Sequence, residues 1–241
     1  MALDDIRIVL VEPAHPGNIG AVARAMNTMG LGRLVLVRPR VFPSEEANRR
    51  AMGSVEILER AQVVDDLGEG IADCPLVIGC SARSRSFPHP ELDARQCGAQ
   101  LVLETAQGEP AALVFGPERT GLANRDLDRC THQVVIPTSE AFSSLNLASA
   151  VQLLAYEIFL AAREPERAEE VKPEGRPTEH RAMEVFYEHL EQALDSRGFL
   201  DGEMREVTMT KFRRLIGRAR PHPGELKLLH TLIRMVDPDM D

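Results

Sequence analysis

Short apolar runs recur along the first two thirds of the chain at Ile6–Val11, Arg33–Val37, Leu76–Gly79, Ala111–Phe115 and Gln133–Ile136, with Gln62–Val64 as a weaker candidate. They are rich in Val, Ile and Leu and show almost no alternation of apolar with polar positions. Such runs are expected of strands covered on both faces, as in a parallel sheet. Between them, apolar positions return at helical spacing in Ile19–Met29, Ser44–Met52, Asp66–Ala72, Leu92–Ala106 and Asn146–Ala162. Strands alternating with helices predict an α/β domain on a parallel sheet, spanning residues 1–163.

The pattern stops at Glu164. Glu164–Glu179 holds three prolines and six glutamates and almost nothing to bury, so residues 164–180 are expected to form a charged, Pro-rich linker. Beyond it, amphipathic helices are predicted at Arg181–Leu194, Thr208–Ala219 and Glu225–Val236, the last two parted by Pro221–Gly224. Residues 181–241 thus read as a small all-α extension.

Charge changes this picture in one place. The net charge of −9 opposes a general nucleic-acid binder, yet Arg205–Arg220 carries Arg205, Lys211, Arg213, Arg214, Arg218 and Arg220 against the single acid Glu206. A local basic face matters more than the sum. Cys74, Cys80, Cys97 and Cys130 include no CxxC pair, which suits reduced thiols in the cytoplasm. The start, MALDDIRIVLVEP, lacks the basic region of a secretory signal, and Asn146, Gln152 and Glu157 interrupt the most apolar long segment. Neither a leader nor a membrane span is expected. No metal-ligand cluster is evident, and none is expected.

The candidate chemistry lies where strands end. Ile136–Ala150, IPTSEAFSSLNLASA, passes from an apolar run through Ser143, Ser144 and Asn146 into a helix, offering free N–H groups to a polar ligand. Taken alone, this is also what a well-capped helix looks like. Glu12–Gly30 places the turn Pro16-Gly17-Asn18 ahead of a helix of small residues, among which Arg24 stands out. Leu113–Asn124 holds Glu118 and Arg119 between Gly116-Pro117 and Gly121, and Gly79–Arg83 repeats the small-plus-polar theme. In open α/β sheets, ligands bind beyond the carboxyl ends of strands, so several such exits suggest one site. Neither GxGxxG nor GxxxxGK[ST] occurs, which opposes a dehydrogenase or a P-loop nucleotide enzyme.

Three of these segments resemble, in order and spacing, the motifs of the SpoU branch of the SPOUT RNA methyltransferases. They are PGNIGAVARAMNTMG at 16–30, FGPERTG at 115–121 and IPTSEAFSSLNLASAVQLLAYE at 136–157, and the likeness covers about residues 6–162. GCSARSR at 79–85 and MTKFRRLIGRARPHPGELKLLHTLIRM at 209–235 are similar to the TrmJ subfamily of tRNA methyltransferases. Cys80 stands where that subfamily commonly has threonine, and Leu229-His230-Thr231-Leu232 where it commonly has Leu-Arg-Gly-Ile.

The resemblance implies a parallel sheet with a C-terminal trefoil knot, S-adenosylmethionine as cofactor, and a homodimer. It also implies 2′-O-methylation of the cytidine or uridine at position 32 of the tRNA anticodon loop. Cofactor contacts carried over position by position fall on Cys80, Ser81, Ala82, Gly116, Ile136, Ser143, Ser144 and Leu145. Asn18, Arg24, Glu118 and Asn146 match the catalytic positions. RNA contacts are expected from Arg83, Arg85, Lys211, Arg213, Arg214, Arg218 and Arg220. Other readings left open by the residues are methylation of a different tRNA or rRNA nucleotide and a non-catalytic RNA-binding protein of the same fold. For the chemistry, Arg24 is expected to stabilise a developing 2′-oxyanion, because a guanidinium does not act as a base under ordinary conditions. Glu118 is expected to orient Arg24 or the substrate.

Overall fold

A computed structural model describes residues 2–81, 90–139, 145–163, 178–200, 202 and 204–236. The chain divides into two compact units, Met1–Glu169 and Glu170–Asp241.

In the first unit the strands are β1 (Ile6–Val11), β2 (Arg33–Val37), β3 (Gln62–Val64), β4 (Leu76–Cys80), β5 (Glu91–Leu92), β6 (Ala111–Phe115) and β7 (His132–Val134). They form one sheet in the order β3-β2-β1-β6-β4-β7-β5, and every pairing is parallel. Strand β1 shows why the apolar runs do not alternate. Ile6, Ile8 and Leu10 enter one buried cluster, while Val9 and Val11 enter a second on the opposite face. Helices α1 (Pro16–Thr28), α2 (Glu45–Ala51), α3 (Val55–Glu59), α5 (Ala94–Ala106) and α7 (Leu147–Arg163) supply the first cluster. Helices α4 (Leu67–Ile71) and α6 (Asn124–Leu127) supply the second. The parallel α/β expectation therefore holds, with both faces of the sheet covered.

Local chemistry explains where several helices begin. Ser44 caps α2 through the Glu46 N–H, Asp66 caps α4 through the Gly68 N–H, and Asp93 with Gln96 closes a capping box on α5. The sequence pattern does not anticipate α3, α6 or β5, which are too short to show a period. Strand β7 ends at Val134, two residues before the expected Ile136, because Val134 pairs with Cys80, the last residue of β4. Ile136 thus lies beyond the ladder, at the strand exit.

The connections position the site. From β3 the chain crosses to β4, beyond β1, and β6 later fills the gap between them. The direction of winding reverses at β1, β6 and β4, the place where open sheets leave a crevice at their carboxyl ends. With β7 beside β4, the exits after Val11, Phe115, Cys80 and Val134 stand side by side.

The second unit packs α8 (His180–Ser196), α9 (Met204–Ala219) and α10 (Pro223–Val236) around Met183, Phe186, Tyr187, Met209, Leu226 and Ile233. Helix α9 starts four residues before the expected Thr208, since Met204–Val207 faces largely outward and leaves no apolar period to read. Among the described residues, no helix is long and apolar enough to cross a membrane.

Candidate functional site

The exit of β1 turns into α1 at Pro16, a first-turn position where a missing N–H costs nothing. Ala14 and His15, just before it, keep their N–H groups free of the helix and donate both to Glu118, at 2.9 and 3.2 Å. The Asn18 amide donates to the same carboxylate at 2.9 Å. Glu118 reaches them from the loop after β6, where Gly116 is required: a Cβ there would lie 2.2 Å from the Leu122 nitrogen. The Gly121 N–H closes that loop on the Pro117 carbonyl at 2.8 Å.

Asn146 extends the network to a third strand exit. Its side-chain oxygen accepts from the Ala148 N–H at 2.9 Å and its carbonyl from the Ala150 N–H, which caps α7. Its amide nitrogen is left over and donates to the Asn18 oxygen at 3.2 Å. Glu118, Asn18 and Asn146 are therefore one hydrogen-bonded chain joining β6, α1 and α7. Burial alone would raise the Glu118 pKa, but the hydrogen bonds from Asn18, Ala14, its own N–H and His15 outweigh it and hold the carboxyl below its ordinary value. Glu118 is thus an anion whose lone pairs are engaged, and it is a poor proton acceptor.

Arg24 is elsewhere. It lies six residues along α1 from Asn18, exposed, with Nη1 3.8 Å from the Met52 sulfur. The expected contact between Glu118 and Arg24 is not formed: Glu118 is satisfied by Asn18 and the two backbone donors. Arg24 instead opens into a cleft of about 450 Å3 lined also by Thr28, Arg49, Arg50, Met52 and Gln152. Sequence reasoning gave Arg49 and Arg50 no role, and as exposed residues ending a short helix they carried no signal for one. Nor could it foresee the Ala14 and His15 N–H groups as ligands of a carboxylate.

Of the expected cofactor positions, Cys80 ends β4, Ser81 follows it with its N–H on the Val134 carbonyl at 3.1 Å, and Gly116 follows the neighbouring β6. Ile136 is partly buried against the core, and Leu145 is exposed just before α7. Burial pushes the Cys80 thiol up to about 12, so it stays a neutral, protonated group. Ala82, Arg83, Arg85, Ser143 and Ser144 lie outside the described residues.

In the second unit the expected RNA contacts divide. Arg213 donates to Glu184 at 2.6 Å and stacks 4.5 Å above the Tyr187 ring. Its guanidinium is engaged in holding α9 on α8. Lys211 and Arg218 are exposed, and Arg214 and Arg220 partly so. Lys211, Arg214 and Arg218, at i, i+3 and i+7, share one face of α9.

Residues 5–156 match the SpoU rRNA Methylase family, and residues 181–240 match the tRNA methyltransferase TrmJ, C-terminal domain. The tRNA (cytidine/uridine-2′-O-)-methyltransferase TrmJ of Pectobacterium atrosepticum is 45% identical over 245 residues, covering 99% of both chains. The crystal structure of TrmJ from Zymomonas mobilis (Z. mobilis ZM4) superposes with a TM-score of 0.83 at 30% identity, over 96% of this chain and 98% of that one. A structure described as giving insights into the 2-OH methylation of C/U34 on tRNA has a TM-score of 0.52 at 28% identity, and covers 66% of this chain and 96% of its own. The match in both units, at this identity and over the full length, decides the family: the chain belongs to the SpoU methylases and, among them, to the TrmJ group of tRNA methyltransferases.

Proposed function

We propose that the protein transfers a methyl group from S-adenosylmethionine to the ribose 2′-hydroxyl of the cytidine or uridine at position 32 of the tRNA anticodon loop. The observation that carries the reading is the Glu118–Asn18–Asn146 network, which ties the exits of β1 and β6 and the start of α7 into one polar edge at the sheet's switch point. Relatives matched over the full chain are named as tRNA cytidine/uridine-2′-O-methyltransferases, whereas the C/U34 structure covers 66% of this chain; position 32 itself rests on the motif resemblance.

The residues at the exits suit the cofactor. Cys80, protonated and neutral, Ser81, Gly116 without a side chain, and apolar Ile136 and Leu145 provide backbone donors and acceptors with an uncharged lining. Ala82, Ser143 and Ser144 complete the proposed contacts. When bound, the cofactor supplies a sulfonium methyl group for in-line displacement.

Arg24 stabilises negative charge growing on the ribose oxygen and on a neighbouring phosphate. Glu118 is a positioning residue: ionised, with its oxygens occupied, it sets the β1–α1 loop and does not take the proton. Water or phosphate takes it. Asn18 and Asn146 fix the loops on which alignment depends. Lys211, Arg214 and Arg218, helped by Arg83, Arg85 and Arg220, hold the tRNA backbone. Leu153 and Tyr156, 45% and 46% exposed on α7, give the proposed homodimer an apolar surface. Four free cysteines favour the cytoplasm. A trefoil knot in the first unit belongs to the same proposal.

The test is ribose-methylation mapping of tRNA incubated with the purified protein and S-adenosylmethionine. Methylation at nucleotide 32 is expected. Methylation confined to another nucleotide overturns the site, and none on any RNA overturns the activity.

A further inference from the structure

The cleft beside Arg24 has chemistry that the network of Glu118 does not use. Helices α1 and α2 touch backbone to backbone: a Cβ on Gly20 would lie 2.1 Å from the Ala47 carbonyl oxygen and 2.8 Å from the Arg50 Cβ. Gly20 and Arg24 share a face of α1 at i, i+4, so this contact brings Arg24 opposite the last turn of α2. Arg24, Arg49 and Arg50 then line one open cleft of about 450 Å3, with the Gln152 amide of α7 on the far wall.

All three guanidiniums are exposed, and none has a carboxylate partner among the described residues. The acids of α2, Glu45 and Glu46, lie in its first turn and do not line the cleft. A helix dipole accounts for cations ending α2. It does not account for a third arginine, on another helix, converging on them. Three permanently charged forks in one concavity repel each other until an anion enters, and the fork geometry suits the paired oxygens of a phosphate.

Position indicates which phosphate. Arg24 and Gln152 each lie six residues along their helices from Asn18 and Asn146, about 9 Å of axial rise. The cleft therefore lies beside the polar edge, within reach of the same polynucleotide strand. We propose that Arg49 and Arg50, with Arg24, form a phosphate-binding cleft that grips the RNA backbone next to the nucleotide being methylated, an inference that rests on the tRNA-methylating reading above.

The experiment titrates an unmodified tRNA transcript against the full-length protein across a salt series, for wild type, R49A/R50A and R49K/R50K. In parallel, Tm and S-adenosylmethionine affinity are measured for each. The double alanine variant is expected to bind about tenfold more weakly at low salt, with a log K against log salt slope shallower by about one to two contacts. Its Tm and cofactor affinity stay at wild type, and R49K/R50K keeps most of the slope. An unchanged slope and affinity in R49A/R50A overturns the cleft. So does a loss of affinity that tracks a lowered Tm in both variants. Failure of the cleft is separable from failure of the functional reading: a wild-type protein that methylates tRNA while R49A/R50A retains its slope sinks only the cleft. A protein whose slope falls in R49A/R50A yet which never methylates tRNA sinks the reading, and with it the placement beside a methylated nucleotide, and leaves only a phosphate-binding cleft for RNA.

Discussion

The Asn18 amide donates to the Glu118 carboxylate at 2.9 Å across 100 residues of sequence, joining the helix after β1 to the loop after β6. The two strands are neighbours in the sheet, so the contact locks together two exits that the chain reaches at very different times. Its consequences can be measured.

Replacing Glu118 by alanine removes the acceptor of two backbone N–H groups and of Asn18. A loss of about 1–3 kcal/mol is expected from partly buried donors left without a partner. The conservative E118Q variant adds a pH signature. Because the folded-state pKa is lowered, the ionised form stabilises the fold above the ordinary glutamate value of about 4.3, and that contribution is lost as pH falls through the folded value. Thermal melts of wild type and E118Q should therefore differ at neutral pH and converge in acid. A constant difference across pH would refute the anionic role.

Asn146 serves two partners through two different atoms, and substitution can separate them. N146A loses the α7 cap at a cost of about 0.5–2 kcal/mol. N146D keeps an oxygen for the Ala148 N–H but has no donor for Asn18. Near-wild-type Tm with reduced single-turnover methylation is expected for N146D. Full activity would show that the link to Asn18 is dispensable.

Arg24 carries the proposed charge stabilisation without help from Glu118. R24A is expected to slow single-turnover methylation by about 10²–10³, the usual effect of removing one oxyanion donor. Cofactor affinity, followed by calorimetry, should hold. Wild-type rates in both R24A and R24K would remove Arg24 from the mechanism.

The two kinds of arginine on α9 predict opposite phenotypes. R213A breaks the bond to Glu184 and the stacking on Tyr187, so it should lower the melting temperature of the C-terminal unit. R218A should leave that temperature alone and reduce tRNA affinity and its salt dependence. Identical effects from the two variants would contradict the division.

In the same unit His189 and His230 face each other with their Nδ1 atoms 3.4 Å apart. Burial first, then His189 and Arg234, lowers the His230 pKa. The stabilisation from neutral His230 is complete above the ordinary histidine value of about 6.5 and declines as pH falls from there through the lowered folded value. H230Q should flatten the pH dependence of melting between pH 7 and pH 5; an unaltered profile would assign it to other groups.

Strands β1, β2 and β6 occupy their expected residues, because burial on both faces leaves a nearly unbroken apolar run; the edge strand β3 does so with only Val64 buried. The short elements α3, α6 and β5 were illegible, since two to five residues hold no period and depend on neighbours. Pro16, Gly116 and Asn146 were visible as turn and cap chemistry. That Glu118 would choose Asn18 and two backbone donors over Arg24 was not. By itself the sequence determined the parallel α/β layout, the helical extension and which polar residues crowd the strand exits, because apolar periodicity and cap chemistry are local properties. Only the tertiary structure decided which of those residues meet. It brought Glu118 to Asn18 and Asn146, engaged Arg213 with Glu184 and Tyr187, and gathered Arg24, Arg49 and Arg50 into one cleft. Those outcomes depend on sheet order, on the packing of α9 against α8 and on backbone contact at Gly20, which bring together residues distant in sequence.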